Sequence, residues 1–189
     1  MPRLFTGLEI PEEAAMQLAS LQGGLDGARW IEPSDYHVTL RFFGDVGIPT
    51  ARELAAGLDE TRAGPLTVTI DGLDAFGGKR PRSLIARVKP DRALSEAHGE
   101  HERVARDAGL DPEPRRFTPH VTLARLRDVA SFDVADWLGS RALGRTITFT
   151  ARRFVLYSAR PGVGGGPYVV EAAYPLQEAP MRALAGAGR

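Results

Sequence analysis

His37-Val38-Thr39-Leu40 recurs, residue for residue, as His120-Val121-Thr122-Leu123, so that each half of the 189-residue chain carries one copy. The protein has four histidines, and two of them head these runs. Each copy reads as a β-strand, flanked by Tyr36 and Arg41-Phe42-Phe43 in the first case and by Pro119 and Ala124 in the second. Side chains alternate faces along a strand. His37 and Thr39 therefore share one face while Val38 and Leu40 take the other, and the same parity joins His120 to Thr122 and Val121 to Leu123. Two strands each offer an imidazole and a hydroxyl on one side and apolar anchors on the other. Imidazole moves protons near neutral pH, and a threonine hydroxyl donates to a phosphate oxygen. One such strand alone would read as an ordinary half-exposed strand whose histidine satisfies a hydrogen bond. The doubling favours a shared site.

The segments around the motifs set the fold. Residues 4–10 have β character, and Pro11-Glu12-Glu13 opens a helix with proline and acids in its first turn. Ala15, Leu18 and Leu21 continue it at helical spacing until Gly23-Gly24. A short extended piece carries Trp30, and Pro33-Ser34-Asp35 loops into the first motif strand, which ends at Gly44 and Gly47. Thr50 is placed to cap a helix reaching about Arg62, with Leu54 and Leu58 buried. Residues 66–73 alternate as a strand, Gly77-Gly78 turn, and residues 84–88 return beside it. In the second half, residues 91–110 read as a long polar helix ended by Gly109. Pro112, Pro114 and Pro119 then stiffen the approach to the second motif. A short helix over 132–138 turns Trp137 to the core, and residues 146–158 read as one long strand. Gly162 to Gly166 form a hairpin turn, and residues 168–174 return. The expected class is α+β: two similar lobes of mainly antiparallel sheet with flanking helices, and a motif strand on each side of a central cleft. Residues 1–176 are expected to form one bilobal domain, with 177–189 a frayed Ala-, Gly- and Arg-rich tail.

Composition excludes several classes. Hydrophobic residues make up 43% and charged residues 25%, ordinary for a globular chain. Lys+Arg and Asp+Glu both number 24, so no global positive field attracts nucleic acid, and any polyanion must meet a local patch. The absence of cysteine removes disulfides, thiolate nucleophiles and thiolate metal sites. Met1-Pro2-Arg3-Leu4-Phe5 runs straight into a strand-like segment without a signal-peptide pattern, and no apolar run reaches membrane-spanning length. A cytoplasmic enzyme is the expectation.

The doubled His-x-Thr-x motif, the run Phe117-Thr118-Pro119-His120-Val121-Thr122-Leu123-Ala124-Arg125 and the opening Leu4-Phe5-x-Gly7-Leu8-x-Ile10-Pro11 resemble the two-histidine phosphoesterases. More narrowly, they are similar to the bacterial and archaeal RNA 2′,3′-cyclic phosphodiesterases, also called 2′-5′ RNA ligases. The resemblance covers about residues 3–175. It implies a bilobal fold with the motif pair lining the cleft. It also implies RNA or nucleotide substrates ending in a 2′,3′-cyclic phosphate. No cofactor, no metal, no membrane and a monomer without an obligatory protein partner are expected alongside.

The residues carry the chemistry independently of that likeness. Opening a cyclic phosphodiester needs an activated water on one side of phosphorus and a proton for the leaving alkoxide on the other, which two imidazoles supply. Thr39 and Thr122 are placed to bind the non-bridging oxygens. Symmetry alone leaves the two histidine roles open. The resemblance implies that His37 donates to the departing 3′ oxygen and His120 activates water, giving a 2′-phosphomonoester. Run in reverse, the same machinery joins a 2′,3′-cyclic end to a 5′-hydroxyl as a 2′-5′ linkage.

Arg125 matches the arginine that follows the second motif in the resembled family and suits a phosphate oxygen. Its parity is opposite to that of His120 and Thr122, so it reaches the cleft only if the strand ends, twists or bulges near Ala124. Arg41 has the right parity in the first copy and is the weaker alternative. Arg115 and Arg116 offer a local basic rim, or a solvated loop. Tyr36, Phe42 and Phe43 are candidates to stack on a base, with core packing favoured for the phenylalanines. His98 and His101, among Glu96, Glu100 and Glu102, superficially suggest a metal pair, but a solvated helix face is the expectation. The run Gly162-Val163-Gly164-Gly165-Gly166 lacks the lysine and following helix of a phosphate loop. Three readings follow: a metal-free RNA cyclic phosphodiesterase, which is favoured; a non-catalytic nucleotide- or RNA-binding module; and a hydrolase using the histidines as metal ligands.

Overall fold

In the computed structural model, residues 3–141, 143–159 and 168–177 are described. The expected Gly-rich hairpin turn and all but the first residue of the expected tail lie outside them. Nine strands form one sheet in the order β7-β4-β5-β6-β3-β1-β8-β9, with β2 also paired to β6. The strands are β1 (Arg3–Glu9), β2 (Ala28–Trp30), β3 (His37–Asp45), β4 (Leu66–Phe76), β5 (Ser83–Val88), β6 (His120–Leu126), β7 (Ile147–Ala151), β8 (Arg153–Ala159) and β9 (Tyr168–Pro175). The helices are α1 (Glu12–Ala19), α2 (Ile48–Asp59), α3 (Arg92–Asp107) and α4 (Ser131–Ser140). Every pairing is antiparallel. The architecture is α+β and two-lobed: β3, β1, β8 and β9 make one wing, and β6, β5, β4 and β7 the other.

The lobes do not follow the two halves of the chain. The second motif strand β6 lies in the wing built around β4 and β5, while β8 and β9 return to β1 in the first wing. The expected single strand over 146–158 is therefore two. Ile147–Ala151 pairs with β4 and Arg153–Ala159 pairs with β1, with one residue between them. Two peptide steps span at most about 7 Å, so the sheet must curl until its distant wings meet at Arg152. The Arg152 carbonyl accepts a hydrogen bond from the Leu176 amide there.

Helix starts follow local chemistry, with one correction. Asp91 caps α3, its carboxylate accepting from the Leu94 amide at 2.7 Å. Thr50 is not a cap: α2 starts earlier, with Gly47 at the cap and Pro49 in the first turn. Proline lacks the amide that the first turn leaves unpaired, so it fits there. Leu54 and Leu58 are the buried positions of α2.

The helix-covered face of the sheet holds the main core, including Val38, Leu40, Val121, Leu123, Leu84, Ala86, Leu54, Leu94 and Trp137. A smaller cluster of Phe5, Val155 and Tyr157, with Tyr168, sits apart from it. The face of α3 expected to be solvated is so only in part: Glu96 and Glu100 reach solvent, but His101 does not. His101 is 2% exposed, its Nδ1 lies 2.7 Å from the Thr6 hydroxyl, and its ring packs 4.5 Å from Phe154. Burial pushes this imidazole down to about 3, helped by His98. Its folded value lies below its unfolded value near 6.5, so its contribution is intact above pH 6.5 and lost as pH falls toward 3. Each pH unit in that window costs about 1.4 kcal/mol from this group. Denaturant titrations at pH 7, 6 and 5 are expected to show this loss, with a shallower slope in His101→Gln. Equal slopes would refute the assignment.

Candidate active site

Strands β3 and β6 are neighbours in the sheet, joined through the single pair Val38–Val121. Antiparallel pairing around that point sets His37 opposite Thr122 and Thr39 opposite His120. All four side chains share the face opposite to the buried valines. The two motifs thus cross, each imidazole standing beside the other motif's hydroxyl. His37 and His120 are diagonal neighbours, whose backbone positions in such a pair lie about 7–8 Å apart. They are close enough that His120 helps depress the His37 imidazole.

The two rings are held alike. His37 Nδ1 lies 2.8 Å from the Asp35 carbonyl, and His120 Nδ1 lies 2.7 Å from the Thr118 carbonyl, two residues upstream in each case. A carbonyl only accepts, so Nδ1 carries the proton in both, and Nε2 is the atom left to exchange one. Their surroundings differ. His37 is packed by Phe5 at 5.0 Å, Tyr157 at 5.7 Å and the edge of Tyr168 at 5.0 Å. Desolvation pulls it down to about 4, partly opposed by the Asp35 carbonyl and reinforced by His120 and Arg125. Among the described residues His120 has one aromatic neighbour, Phe76, set edgewise at 4.8 Å, and it is lowered chiefly by desolvation, with Arg125 adding to the effect. Gly7, paired with Thr39, leaves room for this packing: a Cβ there would lie 3.0 Å from the Val38 carbonyl oxygen and 3.5 Å from His37.

One extra residue in each motif strand decides the fate of both arginines. In β6, Thr122 pairs with Ile85 and Ala124 with Leu84, so Leu123 is a bulge. In β3, Thr39 pairs with Gly7 and Arg41 with Thr6, so Leu40 is the equivalent bulge, three residues after the histidine in both copies. A bulge reverses the parity beyond it. Arg125 is thereby turned onto the face of His120 and Thr122. Arg41, by the same step, is turned away, which corrects its expected parity. It is 6% exposed, with Nε 2.5 Å from Glu102, Nη1 3.6 Å from Glu113 and Nη2 2.7 Å from the Asp111 carbonyl. Phe42 takes the position equivalent to Arg125 and is 40% exposed, against the expected core role, whereas Phe43 and Tyr36 are buried.

A cavity of about 620 Å³ opens from this face. Thr39, Phe42 and His120 line it together with Phe76, His98, Arg116 and Arg125. Arg115 borders it but is paired to Glu113 at 2.9 Å. Sequence reasoning missed the aromatic box of Phe5, Tyr157 and Tyr168, which comes from strands far away in the chain. It also missed Arg29, directly opposite Arg125 in the β2–β6 register and so on the same face. Their proximity shows at Tyr168, whose hydroxyl is raised by burial and lowered in part by both arginines. Among the described residues, neither guanidinium has an acidic partner within 4.0 Å. Also among them, no group of three or more His, Asp or Glu is placed to hold a metal ion, and no helix is long and apolar enough to cross a membrane.

Comparison with known proteins adds a family pattern, that of the LigT-like phosphoesterases, which matches twice, over residues 8–86 and 87–168. Each match holds one His-x-Thr-x motif. An RNA 2′,3′-cyclic phosphodiesterase of Bacillus subtilis is 32% identical over 130 residues, 66% of this chain and 71% of that protein. Enzymes of the same name from Geobacillus stearothermophilus (28% over 186 residues) and Aeropyrum pernix (36% over 99 residues) match 93% and 51% of this chain. Those alignments span 58% and 56% of the relatives' own lengths. Among solved structures, Escherichia coli LigT in complex with 3′-AMP superposes with a TM-score of 0.79 at 22% identity, covering 94% of this chain and all of that one. TT0787 of Thermus thermophilus gives 0.76 at 19%, covering 93% and 98%. At those identities the structures speak for the fold alone.

Proposed function

The chain belongs to the LigT-like phosphoesterase family, and on that premise we propose that it opens 2′,3′-cyclic phosphates of RNA or nucleotides to 2′-phosphomonoesters by metal-free acid–base catalysis. The observation that carries this reading is the crossed arrangement of the motifs, with two Nε2 atoms and two threonine hydroxyls on one sheet face. His120 Nε2 accepts a proton from water as the water oxygen bonds to phosphorus. The bond from phosphorus to O3′ breaks as His37 gives that oxygen a proton from Nε2. Thr39, Thr122 and Arg125 bind the non-bridging oxygens, where negative charge accumulates. With a 5′-hydroxyl in place of water, the same displacement leaves a 2′-5′ linkage. The protein acts in this way as a cytoplasmic monomer without a cofactor.

The low value of His37 bears on the order of events. Near pH 7 both rings are neutral in the free site, so the acid must gain its proton with the substrate. A phosphate anion beside Arg125 and the rings favours the imidazolium form. Binding of a 2′-phosphate product is therefore expected to take up a proton near pH 7, read as a dependence of calorimetric heat on buffer ionisation enthalpy.

The decisive experiment is product analysis on a short RNA ending in a 2′,3′-cyclic phosphate, with a chelator present. A 2′-phosphate formed at undiminished rate is the expected result. A 3′-phosphate product, or activity abolished by the chelator and restored by zinc or manganese, would overturn it. Tight binding without turnover would select a non-catalytic nucleotide-binding module.

A further inference from the structure

We infer that His98, outside both motifs, forms a nucleobase subsite and favours bases carrying an exocyclic amine at the nucleotide whose cyclic phosphate is opened; this rests on the proposed catalytic site. The cavity that contains Thr39 and His120 continues to His98 and Phe117, between β3 and the 113–118 approach to the second motif. Its volume, about 620 Å³, falls in the range of small-molecule sites. Its walls are aromatic and cationic. Phe42 and Phe76 are 40% and 37% exposed, and Arg82 and Arg116 border the opening.

Within that space His98 is a side chain equipped to read a base edge. Its ring stacks flat on Phe117, with centroids 4.2 Å apart and planes within 4°. Its Nδ1 donates to the carbonyl of Leu40, the bulge residue, at 2.7 Å. That bond fixes the tautomer and leaves Nε2 as an acceptor in the neutral ring. Nε2 makes no hydrogen bond among the described residues, and none of their buried side-chain nitrogens lacks a partner. Nε2 is therefore open to solvent, and the ring lines this cavity. An accepting nitrogen at the end of an aromatic slot pairs with an amino group of adenine, cytosine or guanine. Uracil has no amine, and its ring N–H is recessed between two carbonyl oxygens. Stacking is tolerant of sequence, so discrimination falls to the hydrogen bond.

The test uses the four nucleoside 2′,3′-cyclic monophosphates with the full chain and two variants. In His98→Asn the side-chain amide reproduces the Nδ1 donor to Leu40 and lacks Nε2. In His98→Gln the amide reaches the Nε2 position and the Leu40 bond is lost. The unaltered protein is expected to favour the adenosine, cytidine and guanosine substrates over the uridine one by about three- to tenfold in kcat/KM, the worth of one net hydrogen bond. His98→Asn removes that preference, bringing the adenosine, cytidine and guanosine values of kcat/KM down to that of uridine, and His98→Gln keeps part of it. A role confined to supporting the bulge predicts the converse: His98→Asn unaffected and His98→Gln reduced on all four alike, an outcome that would overturn the inference. A preference unaltered in His98→Asn would do the same. If the unaltered protein turns over none of the four, the catalytic reading itself fails and the subsite falls with it.

Discussion

On the proposed mechanism, His37→Ala and His120→Ala are each expected to lower kcat on a 2′,3′-cyclic phosphate by about 10²- to 10⁴-fold, the usual worth of a positioned acid or base. KM is expected to change less than kcat, because the proposed phosphate ligands Thr39, Thr122 and Arg125 remain. The two losses are expected to separate on an analogue with sulfur in place of O3′. A thiolate leaves without a proton, so His37→Ala recovers most of its rate there, while His120→Ala, deprived of the group that activates water, does not. Rescue of His120→Ala instead would exchange the roles, and near-full activity of either variant on the natural ester would remove both from the mechanism. The roles need this test because the rings are bound identically through Nδ1. Among the described residues they differ in packing, His37 against three aromatic rings and His120 against one.

Removing Arg41 is expected to be among the most damaging single changes to stability. Its guanidinium is shared between Glu102 and Glu113, whose side chains are 18% and 16% exposed, and it also donates to the Phe42 and Asp111 carbonyls. Glu113 keeps Arg115 at 2.9 Å, but Glu102 is left without a cation among the described residues; breaking such a pair costs about 3–5 kcal/mol in the free energy of unfolding. Arg41→Met measured by urea denaturation at pH 7 should show it, and Arg41→Met combined with Glu102→Gln should recover much of the loss. A cost below about 1 kcal/mol would mean that solvent screens the pair. The residues tied down here lead into Arg116, Phe117 and Thr118, so KM is expected to rise before the variant unfolds.

What the chain determined locally is the chemistry of the motif strands. The alternation of His37 with Thr39 and of His120 with Thr122 follows from strand geometry, and the α3 cap and the helix-buried Leu54 and Leu58 follow from residue type and spacing. Which way Arg41 and Arg125 point does not, because a bulge is a property of two strands. Leu40 and Leu123 are extra residues only against Gly7 and Ile85, partners distant in sequence. The polar composition of α3 likewise hid His101, whose surroundings come from Thr6 and Phe154. The same holds for residues 146–158: their alternation suits one strand, but pairing to β4 and β1 in different wings divides it at Arg152. Local pattern fixes which atoms a strand presents on a face; long-range pairing fixes which other strand meets that face, and at what register.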